Sequence, residues 1–390
     1  MTVKPLMGIW KIMMKRFKFK RASQLALVLT SMAMLASCGS APTSTAPEAA
    51  TEPTTAAATP ADQQELKDVR VQLSFLKQSL DAPLIIAINK GYFAEEGLNV
   101  AYERGFGNSD TIGKLGTGKF DFAFSDMYNT MDFNEKNPND QIIAVAITQN
   151  RAPFSVISLK ESGISKPEDL AGKKMGAPTG DGPRNLFPLF AEQVGIDPNS
   201  VEWTTMEPKL REAFLLQGQV DAITGFSTSA LPSLLKAGKT MDDINVFYYS
   251  DNGLNFYGNA ILAKSAFVKE NPDVVKAFVR AYFRGFQDML KDPSAALDAV
   301  IASDDSKLMD REAEKVRLEI ALQEIFVTPE VEKDGLGGLN DERMTKTIEQ
   351  AVQGFDLTST PALGDIYSGE FLPPAEELIL PPVSDRKPLM

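Results

Sequence analysis

The residues best able to recognise a small molecule fall in loops that follow short apolar strands. In chain order the first series offers Phe75 and Asp81, then Gly107, Asn108 and Ser109, then Ser125 and Asp126, then Arg151. A second series offers Thr179, Gly180, Asp181 and Arg184, then Phe226, and finally Tyr257. These types suit binding better than bond-making. Phe75, Phe226 and Tyr257 can sandwich a flat ring, and Arg151 or Arg184 can pair bidentately with a carboxylate or sulfonate. Each loop leads into a helix N-terminus, where free N–H groups and the helix dipole favour an anionic or acceptor group. Glycines at 105–107 and 180–182 would let backbone approach a ligand closely. Structural roles stand beside the binding ones: Ser109, Asp126 and Asp181 suit helix caps, the aromatics suit hinge packing, and a solvated arginine is the commoner case. Asp81, Asp110, Asp126 and Asp181 all fall near the same rim, and a bound anion beside a buried carboxylate would leave both charges uncompensated. The pattern therefore leans away from a small oxyanion and towards a neutral or amine-bearing heterocycle. If the carboxylates only cap helices, an anionic ligand returns.

Composition narrows the chemistry further. Histidine is absent and there is one cysteine, Cys38. Every histidine-based triad, imidazole acid–base mechanism, histidine metal site and thiolate cluster is excluded. No Gly-x-Ser-x-Gly, Ser-x-x-Lys in catalytic context or lysine-bearing phosphate loop stands in their place. No cofactor and no metal are implied. Residues 39–390 carry 33 basic and 52 acidic side chains, a net charge of −19, which argues against nucleic acid and against broad contact with anionic lipid.

The elements that must position these loops contain an internal echo. One copy reads Leu-Gly-Thr-Gly-Lys-Phe-Asp-Phe-Ala-Phe-Ser from Leu115, the other Leu-Gln-Gly-Gln-Val-Asp-Ala-Ile-Thr-Gly-Phe from Leu216. Each closes an amphipathic helix with a glycine (Gly118, Gly218), then starts a buried strand after Asp121 or Asp221. Two such units predict two similar α/β lobes, with a ligand beyond the carboxyl ends of the strands. Residues 67–159 and 257–390 are assigned to lobe 1, the latter with C-terminal helices, and 160–256 to lobe 2. Pro272 opens a long helix whose Val275, Val279, Tyr282, Phe286 and Leu290 follow helical spacing, and the tail from Phe371 reads as extended.

Residues 1–38 read as a secretory signal. Lys15, Arg16, Lys18, Lys20 and Arg21 precede an apolar run, Leu25 to Ala36, too short to span a membrane. Met14 offers an alternative start. Residues 39–66 are Ala-, Thr- and Pro-rich and predict a flexible stalk. The Leu35-Ala36-Ser37-Cys38 ending resembles the lipobox of bacterial lipoproteins, which implies a lipidated Cys38 and anchoring through that lipid alone.

Ile88-Asn-Lys-Gly-Tyr-Phe-Ala-Glu-Glu-Gly-Leu-Asn-Val, Gly118-Lys-Phe-Asp-Phe-Ala, Pro167-Glu-Asp-Leu-Ala-Gly-Lys-Lys, Gly218-Gln-Val-Asp-Ala and Asn271-Pro-Asp-Val-Val-Lys-Ala-Phe resemble, in this order, the substrate-binding proteins of ABC importers for nitrate, sulfonate, taurine and thiamine-pyrimidine precursors. The resemblance implies an α/β, two-lobe periplasmic-binding-protein fold (type II-like) with a helical C-terminal extension. It implies a small-molecule ligand, permease and ATPase partners, a monomer, and delivery without chemistry. Thiamine-pyrimidine synthases resemble the same fold, but in that family a site histidine is consumed, and this chain has none. A sensory lipoprotein would share the same cleft.

Overall fold

The structure, a computed structural model, describes residues 65–390; the signal, Cys38 and nearly all of the stalk lie outside the described residues. Ten strands form two five-stranded sheets. They are β1 (Lys67–Gln72), β2 (Leu98–Glu103), β3 (Phe122–Asp126), β4 (Ile142–Ile147), β5 (Phe154–Leu159), β6 (Lys174–Ala177), β7 (Glu202–Thr205), β8 (Ala222–Phe226), β9 (Ile244–Tyr248) and β10 (Asn259–Lys264). The first sheet runs β2-β1-β3-β10-β4 and the second β7-β6-β8-β5-β9. Each has four strands running one way and one antiparallel strand, β10 between β3 and β4 or β5 between β8 and β9.

The echo is thus a structural repeat. Gly118 and Gly218 both take the left-handed conformation, with φ 74° and 65°. Asp121 and Asp221 then tie the new strand to the backbone of its neighbour in the same way. The Asp121 carboxylate accepts from Arg70 N at 2.8 Å and that of Asp221 from Lys174 N at 2.8 Å, while each aspartate N–H donates to the same neighbour's carbonyl.

Strand β5 pairs with β8 and β9, so the chain crosses between sheets at residues 148–153, earlier than the sequence-based boundary after Leu159. Phe154–Leu159 is buried throughout in the second sheet, its two serines included, and Ser155 Oγ donates to Gly225 O of β8 at 3.1 Å. The return crossing, through residues 254–258, leads into β10 of the first sheet.

Eleven helices matter for the site. They are α1 (Ala82–Asn89), α2 (Asn108–Gly116), α3 (Met127–Lys136), α4 (Gly182–Asn185), α5 (Phe187–Gln193), α6 (Arg211–Leu216), α7 (Ser227–Lys236), α8 (Pro272–Lys291), α9 (Pro293–Ala302), α10 (Arg311–Ala321) and, in the extension, α11 (Pro329–Asp334). Helix α8 buries Val275, Val279, Tyr282, Phe286 and Leu290 against α1 and the first sheet, with Phe278 stacked on Phe122 at 4.1 Å. The C-terminal extension is not confined to lobe 1. Helix α10 packs on α7 of the second lobe, and α12 (Asp341–Gly354) lies against α5 of that lobe. Met344, Ile348 and Ala351 of α12 share a core with Leu186 and Phe190 of lobe 2 and Met127 and Ile142 of lobe 1. The tail returns to α8, where Gln287 Nε2 donates to Ile379 O and Lys387 pairs with Asp292 at 2.6 Å.

The two crossing segments are clasped by the extension. Arg343 of α12 donates to Asn150 O (2.6 Å), Asn255 O (2.9 Å), Phe256 O (3.1 Å), Asn150 Oδ1 (3.1 Å) and Glu330 (3.0 Å), with its guanidinium 3.7 Å from the centre of the Tyr257 ring. Burial pushes the Glu330 carboxyl up, but hydrogen bonds from Tyr257 and Asn150 and the Arg343 charge outweigh it and hold Glu330 below the usual carboxylate range. Replacing Arg343 with Ala leaves that carboxylate and three carbonyls without this partner. Loss of a largely buried ion pair of this kind costs about 3 kcal/mol, so Arg343→Ala should lower the urea midpoint accordingly. Arg343→Lys, lacking the planar fork, should recover less than half.

Candidate functional site

Between the lobes lies a cleft of about 1370 Å³ whose walls come from both sheets and from the extension. On the lobe 1 side, the loop after β1 supplies Phe75 and Leu76, and the loop after β2 supplies Phe106 and Gly107. A Cβ on Gly105 would meet Leu73 O at 2.1 Å. The glycine therefore lets one loop lie on the other's backbone and turns Phe106 outward, 64% exposed, with Arg104 and Lys114 over its ring at 4.2 and 4.9 Å. The room at Gly105 serves this approach of one loop to the other, whereas Gly107, at φ 112° with open space where a Cβ would stand, lines the cleft.

Asp126 closes β3 and caps α3. Its Oδ1 accepts from Tyr128 N (3.0 Å) and Asn129 N (2.9 Å), and its Oδ2 from Asn129 Nδ2 (2.8 Å) and Asn108 Nδ2. Burial raises its pKa from the ordinary carboxylate value, against the lowering effect of those donors. Lobe 2 mirrors this arrangement. Asp181 caps α4 by accepting from Arg184 N at 3.3 Å, accepts from Thr224 Oγ1 at 3.1 Å, and is likewise raised by burial. Both aspartates cap a helix and line the cleft at once, so the two roles separated by the sequence coexist.

Phe75, Gly107, Asn108, Asp126, Thr179, Gly180, Asp181 and Phe226 line the cleft; Ser109 does so from the first turn of α2 without capping it. Phe226 stacks on Phe154 at 5.4 Å. Five predicted residues stand elsewhere. Ser125 is buried in β3 opposite Ala260, because alternation along a strand sends it away from the end that Asp126 occupies. Arg184 lies along the edge of the second sheet, on the Trp203 ring at 4.8 Å and bonded to Thr205 Oγ1 at 3.0 Å. Arg151 braces the crossing segment, bonded to Ser250, Asp251 and Glu324. Tyr257 is fully buried under Arg343, donating to Glu330 and accepting from Asn340 N, both at 2.7 Å. Asp81 sits at the foot of the 73–81 loop in a separate small cavity of about 20 Å³, accepting from Gln78 N at 2.9 Å.

Sequence reasoning missed Arg211, 8% exposed at the start of α6 and on the cleft wall beside Asp181. Its guanidinium pairs with Glu212 and lies against the backbone of Gly225, where a Cβ would meet Nη1 at 2.2 Å. A glycine inside strand β8 was the available signal, since such a glycine marks a close approach. Also missed were Tyr102, Gln149 and Asn259, and the segment 304–317.

Two α/β lobes joined by two crossing segments around a deep cleft constitute the periplasmic-binding-protein fold. The chain belongs to the family described as NMT1/THI5 like, which matches residues 79–296. It is similar to the riboflavin-binding protein RibY of Chloroflexus aurantiacus, 26% identical over 353 residues covering 90% of this chain and 97% of that protein. It is also similar to the formylaminopyrimidine-binding protein of Halalkalibacterium halodurans, 27% identical over 271 residues, 68% and 80% of the two chains. Relatives named 4-amino-5-hydroxymethyl-2-methylpyrimidine phosphate synthase also match, that of Aspergillus parasiticus at 27% identity over 230 residues, 56% and 66% of the chains, and that of Legionella pneumophila at 22% identity over 324 residues, 82% and 95% of the chains. Among solved structures, the aliphatic sulphonate binding protein of Escherichia coli superposes with TM-score 0.62 at 13% identity, over 77% of this chain and 91% of the other.

Burial raises the Asp81 carboxyl from 3.8 to about 7, against the Gln78 hydrogen bond and with Glu314 adding to the rise. The folded state thus holds a proton that the unfolded state releases near pH 4. The associated stability is full below that value and is lost as pH rises through about 7, on the order of a few kcal/mol in total. Asp81→Asn keeps the acceptor for Gln78 N, so its melting temperature should exceed that of the wild type by a margin that widens between pH 5 and pH 8. A constant margin would dissociate Asp81 from the effect.

Proposed function

We propose that this protein is the solute-binding component of an ABC importer and that it captures a flat, nitrogen-bearing heteroaromatic solute, of the pyrimidine or flavin class, without altering it. The single observation that carries this reading is the composition of the cleft. Phe75, Phe106 and Phe226 line the cleft, while Asp181, and Asp126 where a solute displaces the Asn108 or Asn129 amide from it, would offer carboxylate acceptors from opposite lobes. Aromatic faces suit a ring, and paired acceptors suit ring amines and N–H groups. A small oxyanion would sit against two desolvated carboxylates, and Arg211, the buried cation beside Asp181, is already paired with Glu212. The volume also exceeds the roughly 300–1,000 Å³ usual for small-molecule pockets and is far larger than nitrate or taurine needs. The two relatives named for binding riboflavin and formylaminopyrimidine support the same class, and the first matches nearly its whole length.

Delivery rather than catalysis is supported by the inventory of side chains. The chain has no histidine, and among the described residues no three carboxylate, cysteine or histidine side chains converge to hold a metal. Closure of the lobes on the solute would present the loaded form to a permease and its ATPase, the solute selecting the closed state by its differential affinity. We assign the protein to the outer side of a bacterial cytoplasmic or outer membrane, tethered as a monomer through lipid on Cys38; the Leu35-Ala36-Ser37-Cys38 sequence supports this.

Riboflavin or formylaminopyrimidine should raise the melting temperature of the full chain, by an amount equivalent to about 2.7 kcal/mol at a hundredfold excess over Kd, and be recovered unchanged. Nitrate, taurine and alkanesulfonates should not. A shift with the anions alone, or conversion of a pyrimidine into product, contradicts the proposal. In cells, Cys38→Ser should move the protein from the membrane fraction to the soluble one; unchanged fractionation contradicts the tether.

A further inference from the structure

Residues 303–321 lie beyond the family match, which ends at residue 296, yet they form one wall of the cleft. The turn at 303–310 is built around Asp304, whose carboxylate accepts from Ser306 N (3.2 Å), Ser306 Oγ (2.7 Å), Leu308 N (2.8 Å) and Met309 N (2.8 Å). Lys307 stands in the left-handed region at φ 55°, which costs a non-glycine residue roughly 1 kcal/mol or more. The turn presents Leu308 to the cleft, 85% exposed, with Met309 beside it.

A lone exposed leucine is ordinary, but this one is not alone. Phe75 (42% exposed), Leu76 (46%) and Phe106 (64%) line the same cavity, so four of the ten large exposed apolar side chains of the described residues gather there. A clustered apolar surface of this kind marks a contact site. The turn is also held firmly against both lobes. Glu314 accepts from Ser79 N of lobe 1 at 2.7 Å, and Arg317, bonded to Glu314 at 3.1 Å, donates to Thr228 O of lobe 2. Lys236 of lobe 2 pairs with Asp310 at 2.6 Å. A strained turn, pinned at both ends and tipped with apolar side chains, is a poor device for folding and a suitable one for contact.

We infer that the 303–310 turn is a specificity element, a third wall whose Leu308–Met309 tip covers the portion of a flat ligand that extends past the two lobes. It selects a multi-ring heterocycle over a single ring. This inference rests on the heterocycle reading above and adds the size class to it.

The test compares two probes on the full chain, riboflavin by quenching of flavin fluorescence and formylaminopyrimidine by calorimetry. In Leu308→Ser, the Kd for riboflavin should rise about tenfold, from lost apolar cover, with the Kd for formylaminopyrimidine and the melting temperature unchanged. Asp304→Ala, which frees the turn, should reproduce the selective loss. Equal losses for both probes, or none for either, overturn the inference. A wild-type chain that binds formylaminopyrimidine but not riboflavin also overturns it and leaves the heterocycle reading standing. A wild-type chain that binds neither probe removes both.

Discussion

The guanidinium of Arg343 is the point through which the two lobes and the extension are joined. It reaches carbonyls on both crossing segments, Asn150 on one and Asn255 and Phe256 on the other, and holds Glu330 against Tyr257. Five donors in one plane can satisfy several carbonyl acceptors where a lysine would satisfy fewer. Without such a partner, these acceptors would be left half-shielded from water in the crossing segments. The angle between the lobes, and hence the shape of the cleft, depends on this junction. Arg151 extends it through Ser250, Asp251 and Glu324.

The two lobes reuse one plan, and the plan explains why the site has two matching acceptors. In each sheet the central strand follows an aspartate locked to the backbone of the neighbouring strand and ends at the cleft, on the side where helix N-termini gather. Asp126 and Asp181 cap different helices of this plan, the first after the central strand and the second after its parallel neighbour β6. The mirror is therefore one of chemistry rather than of strict position. Arg211 sits on one side only, beside Asp181, where Glu212 pairs with it.

Local chemistry was legible in the chain and distant pairing was not. The helix-glycine-aspartate-strand echo, the Pro272 helix and most strands follow from patterns within a dozen residues, and each is found where those patterns put it. Asp126 and Asp181 were recognisable as loop residues at helix starts for the same reason. Arg151 and Tyr257 were misplaced because their partners, Glu324, Glu330 and Arg343, lie more than 70 residues away in a region with no local signature of its own. Arg184 was drawn off the cleft by Trp203, a stacking partner that spacing cannot reveal. The apolar turn at 303–310 escaped notice because in sequence it is short, polar and charged, with only Leu308 and Met309 to mark it.

Strand order carries a consequence for how the chain is made. Lobe 2 draws all five of its strands from the continuous stretch 154–248, so it holds everything its sheet requires soon after that stretch leaves the ribosome. Lobe 1 begins earlier but lacks β10, which sits between β3 and β4, until residue 264 has been synthesised. The half encoded first is thus the half finished last, and for an interval β3 and β4 stand apart with open edges awaiting the strand that joins them.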